Sequence, residues 1–371
     1  MNILFYYPNR ERSVALSSLM IAFQKQGHIV SLLTHEPEGA LHIDVKKHGI
    51  QTFTYNIKKD IFFLFYLKHI FTLASFTKKN KIDVVYSHIQ LANIISVFSQ
   101  FLSPARFIIC RHHSDCAYVD KNWKEKYFDL IINMLGKEFL VPSQKVYTQM
   151  VETEKIRNKN IYKIRYAYNF EDYEKPDLTT VNDIRKKYKC RLLLIKVARL
   201  IPEKRHILLF KIIRKMVDKN IDVKLLVLSD GWEKLRLLNY IAENNLQDHI
   251  YMLGYKIDVI NFIAASDLVV HVSASEASNN LIKEVGLCEK PVIVCQDVGD
   301  FDEYIINNKN GIIISKTHFE NELTAILEKI YDNKIDIQSL GKDLKKDILR
   351  LFSIENIIGQ YEQFHGKRNT S

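Results

Sequence analysis

The sequence predicts an α/β protein made of two doubly wound, Rossmann-like domains. Its 371 residues suffice for two domains of ordinary size. Short apolar runs alternate with helix-length segments along most of the chain, which is the pattern of buried parallel strands joined by crossover helices. A polar stretch after Asn169, EDYEKPDLTTVND, interrupts this alternation once. Ligands of such folds bind beyond the carboxyl ends of the strands, so we expect a site in a central cleft that the two domains face.

The first domain is predicted over residues 1–172. Each of its apolar runs has five to eight residues and most are followed by a longer segment with helical periodicity. Strands are therefore predicted at 3–7, 29–34, 51–56, 83–88, 106–110, 138–142 and 161–168. Helices are predicted near 13–26, 40–48, 60–79, 90–102, 123–135 and 143–153.

The polar stretch 173–186 contains Pro176 and is predicted to be a linker. The alternation then starts again and predicts a second domain over residues 187–345. Its strands are predicted at 190–198, 223–229, 249–253, 268–273, 291–295 and 312–315. Its helices are predicted at 204–218, 232–244, 256–264, 279–287 and 300–306, with further helices from about 318 to 365.

The net charge of +10 is confined to the first half of the chain. Residues 1–170 hold 23 basic and 13 acidic side chains, and the remainder is balanced. Such asymmetry favours an anionic partner for the first domain: a nucleic acid, a membrane surface or a phosphorylated substrate. The five cysteines include no C-x-x-C pair and Met1 leads directly into an apolar strand, so a reducing compartment and no secretory leader are expected.

The most apolar segment, 61–76, supports two interpretations. It is shorter than the roughly 20 apolar residues that a membrane-spanning helix needs, and it contains Lys68 and His69. Lysines flank it on both sides: Lys58, Lys59, Lys78, Lys79 and Lys81. This pattern is typical of a helix lying on a membrane surface, and equally of a core helix with charged ends.

Several common sites are excluded by missing motifs. No strand is followed by G-x-G-x-x-G, and G-x-x-x-x-G-K-[ST], G-x-S-x-G and H-E-x-x-H do not occur. Dinucleotide binding, Walker-type hydrolysis and the commonest hydrolase of such sheets are therefore not expected. One D-x-D occurs, at Asp300 and Asp302, a pair that can hold a divalent ion but is frequent by chance.

Three segments of the second half fit one anionic, hydroxylated ligand. VARLIPEKRH places Arg199 and Lys204 at a strand end beside a helix start, where a diphosphate can bind. SASEASNNLIKEVG places Glu276 and Glu284 where two carboxylates can hold two hydroxylated parts of a ligand. Further contacts are expected from the backbone N–H groups of Asn279, Asn280 and Leu281, and from two glycines that follow strands, Gly231 and Gly254.

The order and placement of these segments resemble the retaining glycosyltransferases of the GT4 family, which have the GT-B fold. The E-x7-E element and the preceding R-L-x-P-E-K carry the resemblance, together with KPVIVCQDVG, GHIVSLLT, KIDVVYSH and KIRYAYNFEDYE. It covers nearly the full chain. It implies the GT-B architecture of two Rossmann-like domains, with a C-terminal helix, 346–371, that packs back on the first domain.

The resemblance also implies roles for individual residues. Arg199 and Lys204 hold the donor diphosphate, Glu284 binds the ribose hydroxyls, and Glu276 contacts the transferred sugar. A histidine after a strand of the first domain lies at the reacting centre; FIICRHHSD offers His112, which we favour, and His113. Arg111 is expected to add charge there, and a metal site formed by His112, His113 and Cys116 is the weaker alternative.

The implied reaction moves a sugar from a UDP- or GDP-linked donor to a lipid-linked or saccharide acceptor with retention, and needs no metal ion or other cofactor. Lipopolysaccharide, capsule or other surface-glycan synthesis is expected, at the inner face of the cell membrane. The residues assigned to the acceptor or membrane are Arg10, Arg12, Lys58, Lys59, Lys68, Lys78 and Lys79.

Departures from the family pattern leave alternatives open. The loop after the first strand, YPNRERSVAL, lacks the usual glycines, and Ala277, Ser278 and Glu289 replace residues usual in the family. A non-catalytic nucleotide-sugar or glycan-binding protein is the main alternative. A nucleotide-sugar epimerase of the same fold is a third possibility, and nucleic-acid binding is the weakest because no known motif accompanies the charge.

Overall fold

The computed structural model describes residues 1–56, 62–112, 123–156, 160–276 and 278–366. The chain divides into two compact units, which we call the first domain (Met1–Glu171 with Phe352–Ser371) and the second domain (Asp172–Leu351). Each is built on a parallel sheet, so the predicted fold class of two Rossmann-like domains is confirmed.

In the first domain, the described strands form one sheet in the order β3-β2-β1-β4-β5-β6-β7, and all neighbours are parallel. The order reverses between β1 and β4, so the connections that leave these two strands diverge. The strands are β1 (Asn2–Tyr6), β2 (Ile29–Thr34), β3 (Gln51–Thr54), β4 (Val84–His88), β5 (Arg106–Cys110), β6 (Glu138–Val141) and β7 (Asn160–Lys163).

Helices connect these strands. They are α1 (Val14–Lys25), α2 (Ala40–Lys46), α3 (Phe62–Lys79), α4 (Ile89–Ser99), α5 (Trp123–Leu135) and α6 (Gln144–Thr148). A π-helical turn, Gln149–Thr153, continues α6, where a regular helix over 143–153 was predicted. The last predicted strand, 161–168, ends early at Lys163.

In the second domain, the described strands form a parallel sheet in the order β10-β9-β8-β11-β12-β13. Its order reverses between β8 and β11. The strands are β8 (Leu192–Val197), β9 (Val223–Leu228), β10 (Ile250–Gly254), β11 (Leu268–His271), β12 (Val292–Cys295) and β13 (Ile312–Ile314).

The helices of the second domain begin inside the stretch that was predicted to be a linker. They are α7 (Leu178–Lys187), α8 (His206–Asp218), α9 (Lys234–Glu243), α10 (Val259–Ala265), α11 (Asn280–Leu287), α12 (Phe319–Tyr331) and α13 (Ile337–Phe352). The short helix predicted at 300–306 is only a 3₁₀ turn, Phe301–Glu303. After Ser353 the chain enters α14 (Ile354–Gly366), which packs against α1 within the first domain.

Alternation along β1 divides the core of the first domain between the two faces of its sheet. Ile3 and Phe5 pack with α1, α2 and α14 on one face. Leu4 and Tyr6 pack with α3, α4 and α5 on the other. Because α3 contributes Leu73 and Phe76 to this core, it is a core helix along one side, as one of the two interpretations of 61–76 expected.

Candidate functional site

The carboxyl edge of the second sheet at β8 and β11 holds the predicted ligand-binding residues. The loops that follow the two strands contain Lys204 and Glu276, respectively. A hydrogen bond of 2.7 Å from the Ala274 N–H to the Glu203 carbonyl joins the two loops. The strand order reverses here, and such switch points are where open α/β sheets bind ligands.

An ion pair joins the two loops. After β8, a 3₁₀ turn (Pro202–Lys204) and Arg205, with φ 56°, redirect the chain into α8. The Lys204 Nζ then contacts Glu276 Oε1, and it also donates to the Ser275 carbonyl at 3.3 Å. The Lys204 and Glu276 side chains are only 12% and 11% exposed, so this pair is largely removed from solvent.

His271 supports the same carboxylate, and sequence reasoning missed it. It ends β11, and its Nε2 lies 2.9 Å from Glu276 Oε1. Burial lowers the pKa of His271, so the neutral ring donates its Nε2–H to Glu276. Burial opposes ionisation of Glu276, but the hydrogen bond from His271 and the Lys204 ammonium outweigh it and hold the Glu276 pKa well below its usual range.

Glu284 differs from Glu276 in its electrostatics. It lies on α11, and burial raises the pKa of its carboxyl to about 7. Within the residues that the structure describes, no hydrogen bond or ion pair offsets this burial. Glu276 is therefore held as a carboxylate by the protein itself. Glu284 receives no hydrogen bond from the described residues, and a ligand with hydroxyl groups could donate one.

The start of α11 only partly matches the prediction of free backbone donors. Asn279 is the N-cap residue, and its Oδ1 accepts a hydrogen bond of 2.8 Å from the Leu281 N–H. The Leu281 N–H is thus already used, which corrects the expectation that it meets a ligand. Asn280, the first residue of the helix, is exposed.

Arg199 and Gly231 meet at one turn. Arg199 is exposed, and its carbonyl accepts a hydrogen bond of 3.0 Å from the buried His206 ring. A Cβ on Gly231 would lie 2.5 Å from the Leu200 carbonyl oxygen, so this glycine lets the loop after β9 pack on the Arg199 turn. Its visible role is therefore this backbone contact, which was not foreseen. Gly254 ends β10 with φ +70°, and a Cβ there would meet open space.

His112 of the first domain is held by two neighbours that sequence reasoning missed. It follows β5; its Nε2 lies 2.9 Å from Nδ1 of His88, which ends β4, and its Nδ1 contacts the Tyr166 hydroxyl. The His88 and His112 rings stack with centroids 5.1 Å apart. The competing candidate, His113, and the proposed metal partner Cys116 lie outside the described residues.

Arg111 does not add free charge beside His112, contrary to expectation. Its guanidinium is buried and donates to Asn133 Oδ1 and Glu154 Oε1, both at 3.0 Å, and to Asp129 Oδ2 at 3.4 Å. These contacts join β5 to α5 and to the turn after α6. Arg111 is therefore part of a buried polar network within the first domain.

The D-x-D pair is engaged within the protein. Asp300 is buried, and its Oδ2 lies 3.2 Å from Lys283 Nζ and accepts a hydrogen bond from the Ser278 hydroxyl. The Asp302 Oδ2 accepts a hydrogen bond of 2.7 Å from the Asp297 N–H. Across the described residues, no group of three or more His, Cys, Asp or Glu side chains has the arrangement of a metal site.

The arginines of the loop after β1 are surface residues. Arg10 lies 3.8 Å from Glu36, Arg12 lies 3.9 Å from Asp44, and both arginine side chains are more than half exposed. Exposed pairs at such distances contribute little to stability. Both arginines are thus accessible to an anionic ligand.

The outer side of α3 carries both charge and apolar surface. Lys68, Lys78 and Lys79 are exposed, while Lys58 and Lys59 lie outside the described residues. Exposed apolar side chains lie on α3, near the end of α4 and on α5; we call them the apolar face: Phe63, Leu64, Phe71, Phe98, Phe101, Leu102, Tyr127, Leu130 and Met134. A search of the described helices finds none with the length and apolarity needed to cross a bilayer.

Two family models match consecutive parts of the chain. The model "Glycosyltransferase Family 4" matches residues 13–171, and "Glycosyl transferases group 1" matches residues 180–347. Together they include every described strand of the two sheets except β1. The first corresponds to most of the first domain, and the second includes Arg199, Lys204, Glu276 and Glu284.

Individual relatives are more distant. A poly(ribitol-phosphate) alpha-N-acetylglucosaminyltransferase of Staphylococcus aureus (strain COL) is 20% identical over 57% of this chain. That match spans 42% of the relative's own length, less than half of it. A UDP-Gal:alpha-D-GlcNAc-diphosphoundecaprenol alpha-1,3-galactosyltransferase of Escherichia coli is 23% identical over 78% of this chain and 76% of its own.

The whole chain also has a close structural match. The crystal structure of Anabaena Alr3699/HepE in complex with UDP covers 98% of this chain and 99% of its own, with a TM-score of 0.81 and 18% identity. At this identity the likeness concerns the fold alone.

Proposed function

Since this chain belongs to the GT4-type glycosyltransferases of group 1, with the GT-B fold, we propose that it transfers a sugar from a nucleotide-sugar donor to an acceptor. The observation that carries the proposal is the Lys204–Glu276 ion pair at the carboxyl edge of the second sheet. Glu284 is nearby in sequence, and its carboxyl has no hydrogen-bond or ion-pair partner among the described residues. The Lys204 cation suits a diphosphate, and the Glu276 carboxylate suits the hydroxyls of a sugar. The Glu284 carboxyl suits the hydroxyls of a ribose, which can donate hydrogen bonds to it.

We propose that Arg199 and Lys204 stabilise the leaving nucleoside diphosphate. Negative charge grows on the diphosphate as the bond to the sugar breaks, and preorganised cations at that point lower the barrier. Lys204 is already positioned by Glu276 and Ser275, so little reorganisation is needed when the donor binds. These cations would take the place of a metal ion, and EDTA is expected to leave the transfer rate unchanged.

We further propose that the reaction retains the anomeric configuration and proceeds by attack on the front face of the sugar. The acceptor oxygen bonds to the anomeric carbon as the bond to the phosphate oxygen breaks, and that phosphate oxygen takes the acceptor's proton. In this scheme Glu276 contacts hydroxyls of the transferred sugar, and His112 contributes from the first domain, as the family resemblance implies.

The reaction can be tested with labelled UDP- and GDP-sugars and a polyprenyl-diphosphate-linked saccharide as acceptor. We expect transfer from one of these donors, a product with the donor's anomeric configuration, and loss of at least about 100-fold in rate for Glu276→Gln. An inverted product would exclude front-face attack. Donor binding without transfer would favour the non-catalytic alternative, which the glycine-free loop after β1 supports.

We propose that the acceptor is lipid-linked and that the first domain meets it at the cytoplasmic face of the cell membrane, in surface-glycan synthesis. The apolar face and the exposed lysines of α3 support this, because anionic lipid attracts lysines while the interface accepts apolar side chains. The lipid-linked acceptor in the name of the Escherichia coli relative also favours it.

Vesicle binding tests the membrane proposal. The chain is expected to co-sediment with phosphatidylglycerol-containing vesicles at about 0.15 M salt, and less as salt increases. Phe71→Glu with Leu130→Glu is expected to reduce binding at least tenfold, because each change removes an apolar side chain from the interface.

The matched control is Ile43→Glu on α2. This helix packs on the opposite face of the first sheet, and the Ile43 side chain is 56% exposed. This variant is expected to bind vesicles like the unchanged protein. Equal losses in the control and in the apolar-face variant, or no vesicle binding by the unchanged protein, would refute the proposed membrane surface.

A further inference from the structure

Lys196 is a buried lysine at the carboxyl end of β8. It lies opposite Val227 of β9 in the parallel register, and its relative exposure is 0%. Lysine is rarely buried so completely unless it is paired with a charge. The surrounding sequence, RLLLIKV, has the pattern of one apolar strand, which hides this lysine.

The amino group of Lys196 is buried together with the rest of its side chain. In the part of the chain that the structure describes, the buried Nζ has no hydrogen-bond partner. The neighbouring carboxylate of Glu276 instead contacts Lys204 and His271. An isolated ammonium removed from water is very unfavourable, and Lys204 and Arg205 add repulsion. Burial, followed by the charge of Lys204, accordingly lowers the Lys196 pKa to about 7.

The groups that face Lys196 come from the turn before α8, from α8 itself, from β11 and the loop after it, and from β12. They are Lys204, Arg205, His206, His271, Glu276 and Cys295. Burial lowers the pKa of His206 to about 3 and raises that of Cys295 to about 11. His206 and Cys295 therefore keep their charge states around pH 7, where Lys196 itself changes.

We propose that Lys196 is a further cation of the donor-diphosphate site, one that above pH 7 lacks its proton in the ligand-free protein and gains it when a nucleoside diphosphate binds. The inference rests on the function proposed above. The proton comes from solvent, so the neutral amine becomes an ammonium as the anion arrives. Because the site is shielded from water, a nearby diphosphate favours the charged form of the lysine strongly.

Two consequences follow for binding. Donor binding takes up a proton above pH 7, and by linkage the affinity falls as the pH rises. The added positive charge also acts where the leaving diphosphate accumulates negative charge, so Lys196 is a positioning and electrostatic residue beneath the phosphate-binding turn. Above pH 7, Lys196 therefore adds its charge mainly in the complex, beside the Lys204 ion pair.

Isothermal titration with UDP and GDP tests the proposal. Titrations at pH 8 in two buffers of different ionisation enthalpy give the number of protons taken up. The terminal phosphate of UDP, with a pKa of about 6 like other phosphate monoesters, is already ionised at pH 8. We expect uptake approaching one proton at pH 8 and a dissociation constant that rises about eightfold between pH 8 and pH 9.

Between pH 8 and pH 9, where Glu284 is already largely ionised, Lys196→Met is expected to bind without proton uptake and with a dissociation constant that changes little with pH. The variant is expected to fold, because an apolar chain of similar length replaces an unpaired polar one, and its melting temperature without ligand should be at least that of the unchanged protein. The control is Lys224→Met, near the amino end of β9, whereas Lys196 lies near the carboxyl end of β8. This variant should keep both the proton uptake and the pH dependence of binding.

The outcomes separate the two proposals. UDP or GDP binding without proton uptake, or with the same pH dependence in Lys196→Met, overturns the role of Lys196 and leaves the proposed function standing. Failure of both nucleotides to bind the unchanged protein at pH 7 overturns the proposed function, and the role of Lys196 with it.

Discussion

Replacing Lys204 with methionine is expected to lower the free energy of unfolding by about 3 kcal/mol and the affinity for a nucleoside diphosphate by about 10- to 100-fold. The stability loss arises because Glu276, only 11% exposed, keeps its negative charge while losing its paired cation. The affinity loss arises because a charge-assisted contact to the phosphate disappears. Chemical denaturation and UDP titration measure the two effects separately.

Two comparisons make this prediction specific. Lys234→Met removes a lysine whose ion pair with Asp230 is about half exposed, so its effect on stability should stay within about 0.5 kcal/mol. The double variant Lys204→Met with Glu276→Gln should recover much of the lost stability, because no buried carboxylate is left unpaired. Equal destabilisation by Lys204→Met and Lys234→Met would contradict the importance of the buried pair.

Replacing Glu284 with glutamine is expected to stabilise the ligand-free protein at pH 8 by about 2–4 kcal/mol while weakening donor binding. Burial raises the Glu284 pKa from its ordinary 4.5 to about 7. The carboxylic acid form therefore favours folding, and this contribution is complete below pH 4.5 and is lost as the pH rises through 7. One pKa unit corresponds to about 1.4 kcal/mol, so ionisation of the buried Glu284 lowers the free energy of unfolding at pH 8 by several kcal/mol. Glutamine does not ionise and avoids this loss.

Unfolding curves at pH 5 and pH 8 test this effect. The two proteins should differ little at pH 5, and the glutamine variant should be clearly more stable at pH 8. Glu243→Gln, an exposed change on α9, serves as the control and should show no such pH-dependent gain. A glutamine variant that is less stable than the unchanged protein at pH 8 would mean that Glu284 is already satisfied by the protein.

The fold was largely predictable because its core strands are short, apolar and regularly spaced. The helix α7 was missed because its sequence is polar and follows Pro176. The sequence did contain one helix signal, the N-cap residue Asp177, whose side chain accepts a hydrogen bond of 2.9 Å from the Thr180 N–H. Only Ile184 of this helix is buried, so apolar periodicity could not reveal it.

The candidate site was predictable as a set of residues and not as a set of contacts. Lys204 and Glu276 are 72 positions apart, and only the sheet order that places β8 beside β11 brings them together. His271 and Lys196 were overlooked for a common reason: each is a basic residue within an apolar strand, and the surrounding pattern hides it. Arg111 shows the reverse error, because a basic residue at a strand end was expected to be available and is held by acids within the domain.

The central claim is that the second domain binds a nucleoside diphosphate through Lys204, Arg199 and Glu284. Thermal unfolding of the purified protein with UDP, GDP, ADP and CMP tests it most directly, in parallel with the Glu284→Ala variant. We predict that one nucleoside diphosphate, at 100 times its dissociation constant, stabilises the unchanged protein by about 2.7 kcal/mol and the variant much less. Stabilisation by none of them, or an equal response of the variant, would contradict the claim.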